Sequence, residues 1–158
     1  MKTAIIYYSK SGSSAKCARD LYRKIPDSAL FNLAIDTCDI SKYDNVILGG
    51  GIRAGKIPSQ LKKYISSNEL EIQKKNVGIF VCCSDGSHAN NYIENNFSPI
   101  LVKKAVVCGC FGAEINPDEM KGIDRIIAKV VLKNIKKSGA PAPQINYAKI
   151  EEFAAKFR

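Results

Sequence analysis

The stretch "KTAIIYYSKSGSSAK" (residues 2–16) changes character halfway along. Its first part, "KTAIIYY" (residues 2–8), is an apolar run of strand length. Its second part supplies serine, glycine and lysine where a helical pattern begins at about Ser13. A strand that passes through a serine-glycine loop into a helix is the opening unit of an α/β sheet. The helix N-terminus after such a loop favours an anion such as phosphate.

The rest of the chain repeats this alternation of strand and helix. Four of the five apolar runs, at 4–7, 46–49, 77–82 and 105–108, are nearly continuous, which is typical of parallel strands covered on both faces. The run at 29–35 is interrupted by polar residues, so we expect it at an edge. The pattern predicts an α/β fold, a five-stranded, doubly wound parallel sheet with helices on both faces. The predicted strands after the first are "ALFNLAI" (29–35), "NVILGG" (45–50), "VGIFVCC" (77–83) and "AVVCGC" (105–110), and the helices between them lie at about 13–24, 59–66 and 88–96.

Two helical segments follow the fifth strand, at about 119–137 and 147–157, with "SGAPAPQ" between them. The last segment places Ile150, Phe153, Ala154 and Phe157 at helical spacing, so we expect it to pack on the sheet. The other helix is additional to the five-stranded scheme. We therefore expect one domain, 1–158, with an extra helix in an insert at about 113–145.

The extra helix is amphipathic. One interpretation is a helix packed on the domain with a solvated lysine edge. The other is a helix that lies over a cofactor edge or on an anionic membrane surface. The basic residues that recur every fourth position are Lys121, Arg125, Lys129, Lys133 and Lys137, and the opposing apolar positions are Ile123, Ile126, Ile127, Val130, Val131 and Ile135.

Composition narrows the classes of function. The net charge of +9 favours binding to an anionic partner or an anionic surface. Nucleic acid is not expected, because no finger, RNP-like or basic-zipper pattern occurs and the aromatics are not interleaved with basic residues. The first residues lack a signal sequence and no apolar stretch reaches about 18 residues, so we expect a cytoplasmic protein, with the membrane periphery as an alternative. The six cysteines are expected to be reduced, and no metal site is expected around the single histidine, His88.

Three loops follow the carboxyl ends of strands one, three and four, where open α/β sheets bind ligands. They span residues 9–14, 49–58 and 82–87. The first loop lacks both G-x-G-x-x-G and G-x-x-x-x-G-K-[ST], which argues against a dinucleotide site and a P-loop. Its order Ser-x-Ser-Gly-x-Ser resembles the flavodoxin phosphate loop, Thr-x-Thr-Gly-x-Thr, with serine in each threonine place. An ordinary serine-glycine turn with a helix cap is the alternative.

The second loop extends the resemblance. "LGGGIRAGKIPSQLKKYI" (48–65) resembles the loop after strand three in the flavodoxin-like, menaquinone-type protoporphyrinogen dehydrogenases, with Ile52, Arg53 and Gly55 in matching order. "FGAEINPDEMKGIDRIIAKVVLK" (111–133) and "INYAKIEEFAAKF" (145–157) are similar to the same family. The resemblance implies strand order 2-1-3-4-5 and one noncovalently bound FMN.

The resemblance also implies which residues hold FMN. A glycine beside flavin N5 would let that peptide turn when N5 gains a proton. The predicted phosphate contacts are Ser9, Lys10, Ser11, Gly12, Ser13 and Ser14, and the ring contacts are Gly51, Ile52, Arg53, Ala54 and Gly55 on one side with Cys82, Cys83, Ser84 and Asp85 on the other.

The chain departs from flavodoxin carriers, which are acidic and stack aromatic side chains on the ring. Here Arg53 and Lys56 are expected to raise the redox potential of the flavin. The alternative interpretation of Arg53 is a solvated loop charge or a member of a structural ion pair. Cys82 and Cys83 should point to opposite faces of the sheet, which disfavours a vicinal disulfide. The loops contain no strong general base. Asp85 and His88 are the candidates for transferring protons.

We expect an FMN-dependent oxidoreductase that passes electrons from an organic donor to a quinone or a redox partner protein. The resemblance suggests a porphyrinogen as one candidate donor. A one-electron carrier without its own substrate and a regulatory module without redox chemistry are the alternatives.

Overall fold

The computed structural model describes residues 1–9 and 12–158. Five parallel strands form one sheet in the order β2-β1-β3-β4-β5, which confirms the predicted fold class and strand order. The chain therefore winds first to one side of β1 and then to the other. The strands are β1 (Thr3–Tyr8), β2 (Ser28–Asn32), β3 (Asn45–Gly51), β4 (Asn76–Cys82) and β5 (Ala105–Cys110).

Six α-helices connect or follow these strands in the described part of the chain. The first has its predicted limits, and the second is longer than predicted. The fourth was not predicted, and it starts where the Ser98 hydroxyl accepts a hydrogen bond from Leu101 N and Pro99 occupies the first turn. The helices are α1 (Ser13–Lys24), α2 (Ser59–Ile72), α3 (Ala89–Asn96), α4 (Pro99–Lys104), α5 (Gly122–Ser138) and α6 (Tyr147–Ala154), the last extended by a 3₁₀ turn at Ala155–Phe157.

Alternation along the central strands builds two separate cores. On β3, Val46 and Leu48 point into the core under α2, α3 and α4, whereas Ile47 between them points into the core under α1 and α6. β1 and β4 alternate in the same way. The three central strands are thus covered on both faces, as their continuous apolar runs predict.

The strand β5 differs from its prediction. We expected 105–108 to be covered on both faces, but β5 is an edge strand on which Val106 is 50% exposed and Cys108 is also exposed. The cause is α4, which is only six residues long and runs directly into β5. A helix that short cannot cover the strand that it precedes.

The predicted edge strand at 29–35 is confirmed as an edge, but it ends early. β2 stops at Asn32, whose side-chain oxygen accepts a hydrogen bond from Ala34 N at 3.1 Å. This local bond turns the backbone away from the sheet.

Side-chain amides fix the register at the other end of the sheet. Asn45 is buried and donates to Thr3 Oγ1 at 2.9 Å, and Asn76 donates to Asn45 Oδ1 at 2.9 Å. These three residues lie side by side on β1, β3 and β4. The ladder satisfies polar groups that burial would otherwise leave unpaired.

Phenylalanine rings fill the core under α6. Phe80 stacks on Phe111 with ring centroids 5.0 Å apart, and Phe153 of α6 meets both rings edge-on. The rings need glycine beside them, since a Cβ atom on Gly49 would lie 2.0 Å from Phe80 and one on Gly78 would lie 2.9 Å from Phe153. The last helix therefore packs on the sheet, as its spacing predicts.

The insert begins and ends at one place, because Gly112 and Ile145 pair in an antiparallel bridge. Within it, Ala128 is the buried residue of α5, Leu132 and Ile135 are half-buried, and α5 contacts the 3₁₀ turn at Pro117–Glu119. The interpretation that its predicted apolar face packs on the domain is wrong, since most of that face points outward. The exposed members are Ile123, Ile126, Ile127, Val130 and Val131.

No helix in residues 1–9 and 12–158 is long and apolar enough to cross a membrane.

Candidate functional site

The three loops meet beyond the carboxyl ends of β1, β3 and β4. Ser14, in the first turn of α1, is buried beside Gly51 and Cys82 at the ends of β3 and β4. A Cβ atom on Gly51, at the end of β3, would lie 3.3 Å from Ser14 Oγ. Ile52 N donates to Cys82 O at 2.8 Å. The loops therefore form one junction at the switch point between β1 and β3, where such sheets bind ligands.

The start of α1 is suited to an anion. Gly12 has φ of 109°, and nothing lies within 4 Å of where its Cβ would be. Among the described residues no side chain caps α1, and its first turn contains no acidic residue. The backbone N–H groups of this turn are therefore available, and the helix dipole favours negative charge there. A phosphate fits this donor set. Lys10 and Ser11, two of the predicted phosphate contacts, lie outside the described residues.

Asn32 holds the start of the first loop. Its Nδ2 donates to Ser9 O at 2.9 Å, and its Oδ1 accepts from Ser9 N at 3.3 Å. The end of β2 thus sets where the chain leaves β1. Sequence reasoning missed this residue, although an asparagine at the end of a strand is a recognisable turn signal.

The insert covers the other side of the first loop. Ser13 Oγ accepts from Glu114 N at 2.8 Å and donates to Glu114 O at 3.3 Å. Lys16 pairs with Glu114 at 2.8 Å and with Glu119 at 3.1 Å, and these hydrogen bonds raise the pKa of Lys16. The hydroxyl of Ser13 is thus engaged with Glu114, and the prediction that Ser13 and Ser14 bond phosphate oxygens stays a prediction. Their backbone N–H groups remain as the candidate contacts.

The second loop ends in a tight hairpin. Arg53 N donates to Lys56 O at 2.9 Å, and Lys56 N donates to Arg53 O at 3.0 Å. Ala54 and Gly55 between them both have positive φ, of 50° and 74°. A type I′ turn requires positive φ at both of its central residues. Ala54 is the unexpected member, because a side chain is disfavoured in this conformation.

Asn96 supports the hairpin from the end of α3. Its Oδ1 accepts from Ile57 N at 3.0 Å, and its Nδ2 donates to Gly55 O at 2.9 Å and to Tyr92 O at 2.8 Å. One side chain therefore holds the backbone on both sides of Lys56. Sequence reasoning missed Asn96, because nothing local indicates contact with a loop so distant along the chain.

Arg53 is 82% exposed and pairs with Asp124 at the start of α5, at 2.7 Å. Of the interpretations that the sequence left open for Arg53, the structure therefore shows the ion pair. The pair also joins the hairpin to the insert, so the predicted ring contacts lie next to α5.

The thiols of Cys82 and Cys83 lie in the two cores. Cys82 Sγ lies 3.6 Å from Cys17 Sγ, and Cys83 Sγ lies 3.0 Å from Cys110 Sγ. The prediction that neighbouring cysteines face opposite sides is confirmed. The hydrogen bond to Cys17 and burial raise the pKa of Cys82, and burial and the bond to Cys110 raise that of Cys83 to about 12. Both are therefore thiols at neutral pH, and all six cysteines are free.

Ser84 and Asp85 are exposed at the tip of the third loop. The Asp85 carboxylate accepts from Ser87 N at 3.0 Å, and hydrogen bonds from Ser87 lower the pKa of Asp85. His88 Nε2 lies 3.7 Å from this carboxylate. Asp85 is therefore ionised at neutral pH and a weak proton acceptor. The described residues contain no group of acidic, histidine and cysteine side chains that could hold a metal ion.

A cleft of about 410 Å³ adjoins the third loop, on the side of β5. Gly86, Ser87 and Cys108 are among the residues that line it. Lys149 and Lys156 of the C-terminal segment also line it, together with Glu152. It offers a small molecule a basic-lined space next to the predicted ring contacts.

Comparisons with known proteins agree with this geometry. Residues 4–140 match the family model described as the flavodoxin domain. Oxidised Flavodoxin 1 from Bacillus cereus superposes with a TM-score of 0.54 at 17% identity, covering 87% of this chain and 98% of that one. Fusobacterium nucleatum flavodoxin bound to flavin mononucleotide superposes with a TM-score of 0.51 at 15% identity, covering 87% of this chain and 99% of that one.

An NADH:FMN oxidoreductase in its apo form gives a TM-score of 0.52 at 13% identity, covering 70% of this chain and 75% of that one. No curated protein matches the sequence. These structural likenesses show a shared fold. The narrower resemblance to the protoporphyrinogen dehydrogenases is not supported by them and stays a prediction.

Proposed function

The chain belongs to the flavodoxin domain family, and from this membership we propose that it binds one FMN noncovalently and transfers electrons through it. The observation that carries the proposal is the junction of the three loops, where Ser14, Gly51 and Cys82 meet beside the start of α1. A ligand with a phosphate at one end and a planar ring at the other suits this arrangement.

Each loop has a distinct task in this proposal. The N–H groups at the start of α1 hold the phosphate, with Gly12 allowing close backbone approach. The hairpin containing Arg53 and residues 82–85 flank the ring. Asn32 and Asn96 fix the loops from outside. FMN supplies the redox chemistry, and the protein supplies binding, orientation and electrostatics.

We propose an oxidoreductase that takes electrons from an organic donor and delivers them to a quinone or a redox partner protein. The cleft beside β5 supports a donor, because it adjoins the third loop and has room for a small molecule. Lys149 and Lys156 on its wall favour a donor that carries carboxylates. A porphyrinogen has this character and remains the candidate that the sequence resemblance suggests.

A one-electron carrier is the second candidate. The hairpin tip favours it, since Arg53 and Ala54 are exposed and a partner protein could approach the site there. The two functions differ in their redox potentials: a very low hydroquinone potential indicates a carrier. They also differ in turnover, because only the oxidoreductase reduces its flavin with an organic donor alone.

FMN binding is tested by the absorption spectrum of the purified protein and by isothermal titration with FMN. We expect flavin bands and saturable binding of one FMN per chain. Ser11→Asp combined with Ser14→Asp should abolish binding, because two carboxylates would oppose the phosphate. A colourless protein that shows no saturable binding of FMN contradicts the proposal.

The matched control is Ser59→Asp, which places the same residue in the first turn of α2. That carboxylate lies at a favourable helix terminus away from the junction, so we expect unchanged FMN affinity. Circular dichroism of each variant shows whether the fold is retained. Full FMN binding by the folded double variant would place the phosphate elsewhere.

A further inference from the structure

The outward-facing side of α5 is apolar and largely exposed in the part of the chain that the structure describes. Its apolar residues lie at positions i, i+3, i+4, i+7 and i+8, which form one continuous face of a helix. Their side chains are between 38% and 75% exposed. This α5 apolar face consists of Ile123, Ile126, Ile127, Val130 and Val131.

A cationic band runs along the same helix. Only one acidic residue, Asp124, lies between 121 and 138, and its carboxylate pairs with Arg53. The band borders the α5 apolar face on one side, because a helix turns about 100° per residue. Its members, all exposed, are Lys121, Arg125, Lys129, Lys133, Lys136 and Lys137.

We propose that α5 docks the protein on an anionic lipid surface. A helix with a wide apolar face and a lysine-rich flank lies in the plane of a bilayer, with the apolar side chains among the lipid headgroups and acyl boundary. The lysines then meet anionic headgroups. At about 1.5 Å per residue, the 17 residues of α5 span about 25 Å, and the α5 apolar face occupies about 12 Å of that length.

A second copy of this chain fits the α5 apolar face less well than an anionic lipid surface does. Isologous pairing through α5 would place two cationic bands side by side, and each chain already carries a net charge of +9. Five side chains on one helix also provide little of the roughly 800 Å² per partner that a stable interface buries. An anionic surface complements the band, whereas another α5 repels it.

The docked orientation would bring the flavin site near the lipid. Asp124 starts α5 and pairs with Arg53 in the hairpin, so the two surfaces are adjacent. The docking itself does not depend on FMN, because every residue of the α5 apolar face lies outside the junction of the three loops.

The test is cosedimentation of the full chain with vesicles of phosphatidylglycerol and phosphatidylcholine, compared with phosphatidylcholine alone. We expect binding to the anionic vesicles that weakens as salt rises, and none to the neutral ones. Lys129→Glu, Lys133→Glu and Lys137→Glu together should weaken binding by a hundredfold or more, at about fivefold for each lost attraction. Ile123→Gln, Ile127→Gln and Val130→Gln together should leave only weak binding at low salt.

The matched charge control is Lys62→Glu, Lys63→Glu and Lys103→Glu, which removes the same charge from exposed sites outside α5. This control should bind anionic vesicles nearly as well as the unchanged chain. The proposal is overturned if the unchanged chain does not cosediment at low salt, or if the control loses as much binding as the α5 charge variant. It is also overturned by a dimer in solution that the glutamine variant converts to monomer. FMN titration of each variant reports the flavin site separately.

Discussion

Arg53 couples two parts of the protein that sequence reasoning treated separately. A lone cation about 8 Å from an anionic reduced ring, at an effective dielectric near 20, would stabilise it by about 2 kcal/mol, or about 90 mV. Arg53 is not alone, since Asp124 lies 2.7 Å from it and both side chains are largely exposed. The carboxylate offsets part of the field at the ring, and solvent screens the rest. The expected influence on the potential is therefore a fraction of the isolated value.

Opposite substitutions in this pair should move the flavin potential in opposite directions. Arg53→Gln should lower the midpoint potential by about 10–40 mV, and Asp124→Asn should raise it by a similar amount because Arg53 loses its counter-charge. Spectroelectrochemical titration of the FMN-loaded protein measures both. Lys74→Gln breaks a comparable ion pair, with Glu71, beyond the opposite end of the sheet and should leave the potential unchanged. Shifts of the same sign in both variants would contradict the assignment.

At the scale of elements, the hairpin depends on α3. Asn96→Ala removes the hydrogen bonds to Gly55, Ile57 and Tyr92, so we expect the free energy of unfolding to fall by about 1–3 kcal/mol and FMN affinity to fall with it. Urea denaturation and isothermal titration measure the two effects. Asn95→Ala, an exposed neighbour on the same helix, should change neither. A destabilised Asn96 variant with unchanged FMN affinity would show that the hairpin does not contact the ligand.

The elements also show what the sequence could predict. Continuous apolar runs predicted the central strands, because burial on both faces leaves a strong local pattern. The helix α4 was missed, since "PILVKK" is too short to display a period. Asn96 was missed because its partners are remote along the chain. In α5 the amphipathic pattern predicted a helix, but a pattern does not specify which neighbour, if any, covers the apolar side.

For the molecule as a whole, the phenylalanine cluster joins the C-terminal segment to the sheet. Phe153→Ala should lower the free energy of unfolding by about 3–5 kcal/mol, because it leaves a cavity beside Phe80 and Phe111. Urea denaturation measures the loss. Tyr147→Ala on the same helix removes a half-exposed ring and should cost far less. Equal losses would mean that α6 contributes little to this core.

The packing of α6 also has a consequence for biosynthesis. All five strands leave the ribosome before α6 does, and α1 alone cannot cover Phe80 and Phe111 on that face of the sheet. A nascent chain that has completed its strands still presents these rings to solvent, where chaperones bind exposed apolar segments. Premature termination in the linker before α6 would yield a protein with most of the flavodoxin domain and an open core, a ready substrate for aggregation or proteolysis.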